Sequence, residues 1–550
     1  MGAIKSRPAE LTQGHPLRHT TWWAAAAGVL AAIAGVLTGE LLAGVASPSL
    51  SPVSAVAGAV VDFAPPAAKE WAIQTFGTGD KAFLVTAIGV ALVALGAAAG
   101  VLELRRPGFG AALAALIGVV GVVAVATRSL VSVLAVACAV AAGIVAVWMV
   151  RWLVRRLRRD AEPGRDAEPG RDTEPGRDAE PGRDLGQPGT SQALSRRGFV
   201  RALAGSAAVV ALGAVVTAVV RGTSLAASAA REALRLPSPA SSAAPIPPDA
   251  SLDVKGITPL VTPNADFYRI DTALVVPSVD PNGWKLDVTG LVDNPVSIAW
   301  QELVSQPMIE RYVTIACVSN TVGGSLVGNA RWLGWPVREL LARARPRAGA
   351  DMVLSRSVDG FTAGTPLEVL MDPELDAMLA IGMNGEPLPA EHGFPVRMIV
   401  PGLYGFVSAT KWITELKVTT FAADKAYWST RGWSDHGPIK TASRIDAPRD
   451  GARVAAGTVA LGGVAWAQHR GISRVEVKVD DGDWRPARLG TGISRDTWYQ
   501  WSATVQLSPG RHVLSVRATD GSGALQTEQS APPPPDGATG HHSITIEAGA

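Results

Sequence analysis

Five stretches, each about 20 residues long, carry almost no charge, and a chain that holds such stretches must either thread them through a bilayer or bury them on every side. They lie at Trp22–Val45, Ala82–Leu102, Phe109–Thr127, Leu130–Val150 and Ala202–Val220, and are built mainly of Ala, Val, Leu and Gly. Buried core helices are the competing reading. The charges that bracket the runs favour the membrane. Lys5, Arg7 and Arg18 precede the first run, Arg105 and Arg106 separate the second from the third, and Arg151, Arg155, Arg156, Arg158 and Arg159 follow the fourth. All three clusters fall on one side if the N-terminus is cytoplasmic. A mean hydropathy of +0.21 agrees with several membrane segments.

The segment Val53–Ala64 is apolar but too short to span, and is expected to lie in the interface. Glu40, near the outer end of the first run, reads either as a side chain reaching the interface or as a proton site. No His lies in any run, which argues against a transmembrane haem held by paired histidines. Residues 160–183 repeat a six-residue unit, Asp-Ala/Thr-Glu-Pro-Gly-Arg, with alternating charge and no residue able to build a core, so a disordered linker is expected. Ser195-Arg196-Arg197-Gly198-Phe199 then leads straight into the fifth run and resembles a twin-arginine export signal. That route carries folded proteins and would place everything after about Arg221 outside the cytoplasm. The alternative is a positive flank that happens to hold two arginines.

From Leu252 the pattern becomes that of a soluble domain. Trp284–Val292 alternates apolar and polar residues like a half-buried strand, Tyr312–Cys317 and Phe394–Val400 read as further strands, and Trp335–Ala344 has helical spacing. Short strands with few helices indicate an α+β domain. After Lys440 only strands are expected, at Val459–Val464, Val475–Val479, Trp498–Leu507, His512–Thr519 and Ser543–Glu547, with turn residues between them. That spacing suggests an immunoglobulin-like sandwich. The chain holds two cysteines, Cys138 in an apolar run and Cys317, so a disulfide framework is excluded. The net charge of +2 gives no reason to expect nucleic acid as a partner.

Cys317 ends a strand and enters the polar, Gly-rich stretch Cys317-Val-Ser-Asn-Thr-Val-Gly-Gly-Ser-Leu-Val-Gly-Asn-Ala-Arg331-Trp332. Its thiol reads as a soft metal ligand, a nucleophile or a plain buried side chain. A second cluster, Glu391-His392-Gly-Phe-Pro-Val-Arg397 through Ser408-Ala-Thr410-Lys411-Trp412, brackets a Gly-rich turn with two cations. Such a turn can hold a phosphate, or its glycines can serve the turn alone.

These two segments, with Thr262-Pro263-Asn264-Ala-Asp-Phe267-Tyr268-Arg269 ahead of them, resemble the sulfite oxidase family of molybdopterin oxidoreductases over about residues 252–420. Residues 440–548 resemble the sandwich that follows in many members. The resemblance implies one molybdenum–molybdopterin per chain, with Cys317 as the metal ligand. It also implies that Asn264, Tyr268, Arg269, His392, Arg397, Ser408, Thr410 and Lys411 hold the pterin and its phosphate. Arg331 would either face the metal as a catalytic cation or hold an acidic partner in the scaffold.

Two departures from the family stand out. No arginine follows Cys317 closely, and Phe361 occupies the place of a tyrosine, so a hydroxyl beside the metal is expected to be missing. Sulfite is therefore a doubtful substrate.

The expected architecture is a four-helix transmembrane region (1–158), a disordered linker (159–194) and a signal-like motif with a fifth transmembrane helix (195–222). A tether (223–251), an α+β molybdopterin domain (252–425) and an immunoglobulin-like domain (440–550) follow. The expected activity is extracytoplasmic two-electron, oxygen-atom-transfer chemistry at the cytoplasmic membrane. Sulfoxide reduction and a non-catalytic membrane scaffold are the alternatives. Expected partners are membrane lipid, a small-molecule substrate, an unidentified electron-transfer partner and, as a possible homodimer, a second copy of the chain.

Overall fold

A computed structural model describes residues 16–46, 52–65, 80–127, 133–161 and 231–549 apart from 274, with a few positions between 68 and 75 and between 200 and 211. The hexapeptide repeat beyond residue 161, the paired arginines 196–197 and most of the fifth apolar run lie outside the described residues. The chain divides into two compact units, Met1–Gly222 and Thr223–Ala550.

In the first unit the helices are α1 (Pro16–Ala46), α2 (Pro52–Phe63), α3 (Asp80–Arg105), α4 (Phe109–Ala126) and α5 (Val133–Ala161). Four of them, at Thr20–Ala43, Phe83–Arg105, Phe109–Ala126 and Val133–Arg159, are long and apolar enough to cross a membrane. Glu40 has a third role that the sequence did not suggest: its carboxylate accepts the Val53 N–H at 3.1 Å and so caps the start of α2. Glu103 does the same for α4, accepting the N–H groups of Gly108 and Ala111 at 3.0 Å each. A carboxylate is well suited to both places because the first N–H groups of a helix have no partner within the helix.

The second unit opens with strands β1 (Lys285–Gly290), β2 (Val296–Ala299), β3 (Ile309–Ala316), β4 (Val327–Pro336), β5 (Met352–Ser357) and β6 (Thr362–Pro366). β7 (Met378–Met383), β8 (Glu386–Pro387), β9 (Arg397–Ile399) and β10 (Ile413–Thr419) complete this part. They form two sheets, ordered β2-β1-β10-β5-β6 and β3-β4-β7-β8, with β9 also paired to β7. The second sheet is buried on both faces. Alternate residues of β4 and β7 enter two separate cores, Leu333, Leu379 and Ile381 one of them, Trp332, Met378 and Ala380 the other.

Two expected boundaries move. The helix expected at Trp335–Ala344 begins at Val337, because Pro336 holds Trp335 extended and is itself the last residue of β4. The strand expected from Phe394 starts only at Arg397, beyond Pro395, which has no N–H to give to a ladder.

The C-terminal part has strands β11 (Ala442–Ala447), β12 (Arg453–Ala455), β13 (Gly457–Trp466), β14 (Ile472–Val479), β15 (Arg485–Pro486), β16 (Arg488–Leu489), β17 (Tyr499–Leu507), β18 (Gly510–Asp520) and β19 (His542–Gly549). They make two sheets, β11-β13-β17-β16 and β12-β19-β18-β14-β15, packed around Leu461, Val475, Trp501, Leu514 and Val516. Val464, Trp466 and Trp498 do not join that sandwich core; they extend the large core of the preceding domain instead.

Candidate active site

Cys317 follows β3 directly, where its N–H donates to the Leu326 carbonyl and the chain turns into the Gly-rich loop that returns as β4. The loop is braced by its own polar residues. The Asn320 side chain accepts the Leu326 N–H at 2.9 Å, and Ser319 Oγ lies 2.9 Å from Cys317 Sγ. Burial raises the thiol pKa, while the Ser319 hydroxyl and the Lys411 charge oppose that rise.

Around the thiol the structure gathers the second motif. Arg397 is buried, donates to the carbonyls of His392 and Ala409, and lies over the Trp332 ring with 5.1 Å to the centroid. Burial lowers its pKa to about 10. Lys411 donates to the Asp271 carboxylate and the Glu391 carbonyl at 2.9 Å each. Trp412 beside it is held in a left-handed backbone conformation (φ 50°) by burial and by donation of its indole N–H to the Ala390 carbonyl. The His392 ring packs edge-on to Phe267, and one ring nitrogen lies 3.3 Å from the Asn264 carbonyl. Burial and then the charges of Arg397 and Lys411 pull its pKa down to about 3, so the ring is neutral.

Two polar atoms here are buried without a hydrogen-bond partner, His392 Nδ1 and Arg397 Nε. Such atoms are costly to leave unmatched, and in native proteins they mark sites that something else completes. No ion pair joins Arg397 to a carboxylate among the described residues. The site therefore combines buried positive charge with a ring nitrogen and a guanidinium N–H that no protein group satisfies.

Several expected site residues also make hydrogen bonds within the protein. Ser408 donates to the carbonyls of Leu403 and Tyr404, and Thr410 pairs with Ser355 Oγ at 2.7 Å, so both hydroxyls tie down their own loop. The Asn264 side chain bonds Asn384 and Met383, leaving its backbone to meet His392. Arg331 pairs with Glu310 at 3.4 Å, an acidic partner of the kind that the scaffold alternative calls for. It stands opposite Tyr312 on the β3–β4 ladder, roughly 16 Å along the strand from the rung of Cys317 at about 3.3 Å per residue. Arg269 pairs with Asp271 at 3.3 Å.

Sequence reasoning missed Asp271, which joins Arg269 and Lys411, and no local pattern flags it. Of the aromatic hydroxyls it named Tyr268 but not Tyr404. Phe361 packs on Tyr427, with ring centroids 5.8 Å apart. Tyr268 and Tyr404, however, both lie within electrostatic reach of Cys317, and burial together with that thiol raises both phenols, Tyr404 to about 12. Two phenols from elsewhere in the chain thus lie near the thiol, with the Tyr404 hydroxyl against Gly537.

Residues 273–428 match the oxidoreductase molybdopterin binding domain. This part of the chain belongs to the sulfite oxidase type of molybdopterin oxidoreductases. Residues 442–516 match the bacterial Ig domain. Mitochondrial sulfite oxidase of Homo sapiens is 29% identical over 320 residues, covering 50% of this chain and 58% of that protein. Sulfite oxidase of Arabidopsis thaliana is 28% identical over 341 residues, covering 51% and 85%. The chain thus spans little more than half the length of the mammalian relatives. The sulfane dehydrogenase SoxCD structure from Paracoccus pantotrophus is 22% identical with a TM-score of 0.47, covering 55% of this chain and 86% of that one.

The cradle fits this cofactor class. Buried guanidinium and ammonium groups suit a phosphate, and a recessed thiol suits a soft metal.

Proposed function

We propose that this chain is a molybdenum-cofactor oxidoreductase, anchored in the cytoplasmic membrane with residues 252–550 on its outer face, which carries out two-electron, oxygen-atom-transfer chemistry on a small neutral substrate. The observation that carries the reading is the unpaired buried Arg397, with neutral His392 and Lys411, set around Cys317. Bound molybdopterin would supply the redox change and the oxygen-atom transfer.

The chain's own residues have separable tasks. Cys317 would ligate the metal through sulfur. Arg397 and Lys411 would hold the phosphate by charge-assisted hydrogen bonds, and His392 Nδ1 would meet a polar edge of the pterin. Tyr268 and Tyr404, with raised phenol pKa values, keep their protons at neutral pH and can donate them in hydrogen bonds. The loop residues Val318, Ser319 and Asn320 bring no charge, which favours a neutral substrate such as a sulfoxide over a small dianion. Sulfoxide reduction is the second reading, favoured by the uncharged loop after Cys317.

The test is metal analysis with one variant. Protein from a molybdenum-replete host should carry about one molybdenum per chain. Cys317→Ser should lose activity and keep its fold, because a hydroxyl is a far poorer soft-metal ligand. Full activity in metal-free protein would overturn the proposal.

A further inference from the structure

Helices α4 and α5 come into close backbone contact at a pair of glycines. A Cβ on Gly118 would lie 3.0 Å from the Gly143 Cα, and one on Gly143 would lie 3.3 Å from the Gly118 Cα. Small residues let helix backbones meet in this way. Beside that crossing runs a groove of about 920 Å³, walled by Val119, Val122, Val140, Ile144 and Val147. One end is different in kind: Arg151, Arg155, Arg156 and Arg159 line it. Trp148 and Trp152 are stacked there with ring centroids 5.8 Å apart, and Arg156 covers the Trp152 ring.

Glu103 lies 4.0 Å from Arg151, but no ion pair joins Arg155, Arg156 or Arg159 to a carboxylate among the described residues. An apolar channel that ends in uncompensated arginines and indole rings is complementary to a molecule with an acyl chain and an anionic head. We infer that the α4–α5 groove binds a membrane phospholipid with an anionic headgroup, the acyl chain lying along Val119, Val140 and Ile144 and the headgroup among Arg155, Arg156 and Arg159.

The chain's own fifth apolar run is a poorer occupant. Its described residue Leu203 packs against a different cluster, that of Ala24, Ala27, Met149, Val150 and Leu153, where α5 meets α1. The volume is also large enough for a lipid tail, lying at the upper end of the roughly 300–1,000 Å³ typical of ligand sites. The inference rests on reading α1 and α3–α5 as membrane helices. It is independent of the redox chemistry.

Native mass spectrometry of the full chain, extracted in mild detergent and supplied with equal phosphatidylglycerol and phosphatidylcholine, tests it. Phosphatidylglycerol should be retained over phosphatidylcholine by roughly tenfold or more. Arg155→Gln with Arg159→Gln should abolish the preference. Ile144→Trp, at a position 63% exposed and so open to a larger side chain, should fill the groove and reduce retention of both lipids. Equal retention of the two lipids, or a preference unchanged in both variants, would overturn the inference. So would lipid bound only after residues 200–220 are deleted, which would make the chain's own segment the occupant. Lipid-free protein with a concentration-dependent dimer would assign the groove to a second copy and overturn it as well. A chain found outside the membrane fraction would defeat the membrane reading itself, before any lipid is compared.

Discussion

At His392 the imidazole is shut away from water beneath two cations, and its pKa falls from 6.5 to about 3. A lowered folded-state value means that the folded protein resists taking a proton which the unfolded chain accepts. The stability from a neutral His392 is therefore intact above about pH 6.5 and is lost as pH falls toward 3. Between pH 6.5 and about 4 the loss should approach roughly 3 kcal/mol. His392→Gln should flatten this part of the curve in urea titrations of cofactor-free protein. An unchanged slope would show that the ring is not the group responsible. A second expectation concerns the substrate. A small dianion needs fixed cations to replace its water shell, but Arg397 and Lys411 are the groups assigned to the cofactor's phosphate, and Arg331 pairs with Glu310 on the far part of the ladder. Loaded enzyme should turn over neutral sulfoxides or N-oxides faster than sulfite. Efficient sulfite oxidation with the neutral compounds inert would reverse that assignment. At this scale the motif residues Cys317, His392, Arg397 and Lys411 were legible because they lie in two short contiguous segments. Asp271 lies 140 residues from Lys411, so their approach is a product of folding alone, whereas Tyr404 sits within the second motif with nothing in its neighbours to single it out.

Among the elements, the immunoglobulin-like sandwich holds the active-site loops as well as following them in sequence. Arg444 on β11 donates to the Gly324 carbonyl at 2.7 Å and to Thr258 Oγ1 at 3.0 Å, while Asp446 holds its Nε. The His542 ring, fixed by accepting the Ile445 N–H at 3.0 Å, lies against Gly323 so closely that a Cβ there would run into it. Gly323 also has a φ of 76°, which only glycine adopts without cost. On the other side His469 meets the Pro401 carbonyl at 2.9 Å, and Tyr404 backs onto Gly537. Buried Thr314 joins the two domains again, accepting the Trp498 N–H at 2.8 Å and bonding Asn329 at 3.1 Å. Arg444→Ala should therefore cost about 1–3 kcal/mol of stability and loosen the Cys317 loop, lowering molybdenum retention while the sandwich still folds. Hydrogen exchange at residues 318–326 is the direct measurement, and protection equal to the parent would refute the clamp. The strands of this sandwich were readable from alternation and turn residues. The contacts that aim it at the Cys317 loop were not, because Arg444, His469 and His542 look like ordinary surface residues until their partners, many tens of residues away, come into view. The helix at Val337 and the strand at Arg397 were misplaced by a few residues for a local reason, the two prolines that reset the backbone.

For the whole molecule the question is which side of a membrane the cofactor-binding unit would occupy under the proposed function. Four helices long enough to cross it were evident from composition, since hydropathy is a local property that needs no tertiary contact. The side on which residues 252–550 reside depends on the route taken by the fifth apolar run, and here the argument comes from cofactor chemistry. Arg397 and His392 are closed in by folded structure and are almost wholly buried. A cofactor that fills this place is best acquired before the domain closes, and a cofactor made in the cytoplasm must then cross with a folded protein. Ser195-Arg196-Arg197-Gly198-Phe199, immediately before the fifth run, is the segment suited to that route. Arg196→Lys with Arg197→Lys preserves both positive charges but removes the paired planar guanidinium groups that a specific receptor would read. In the double variant, the C-terminal domain should stay protected from protease added outside the cell, and molybdenum-loaded enzyme should accumulate on the cytoplasmic side. A simple positive-inside flank makes the opposite prediction, because lysine serves that purpose as well as arginine. Normal external cleavage of the double variant would leave the orientation of the first four helices standing and remove the folded-export step.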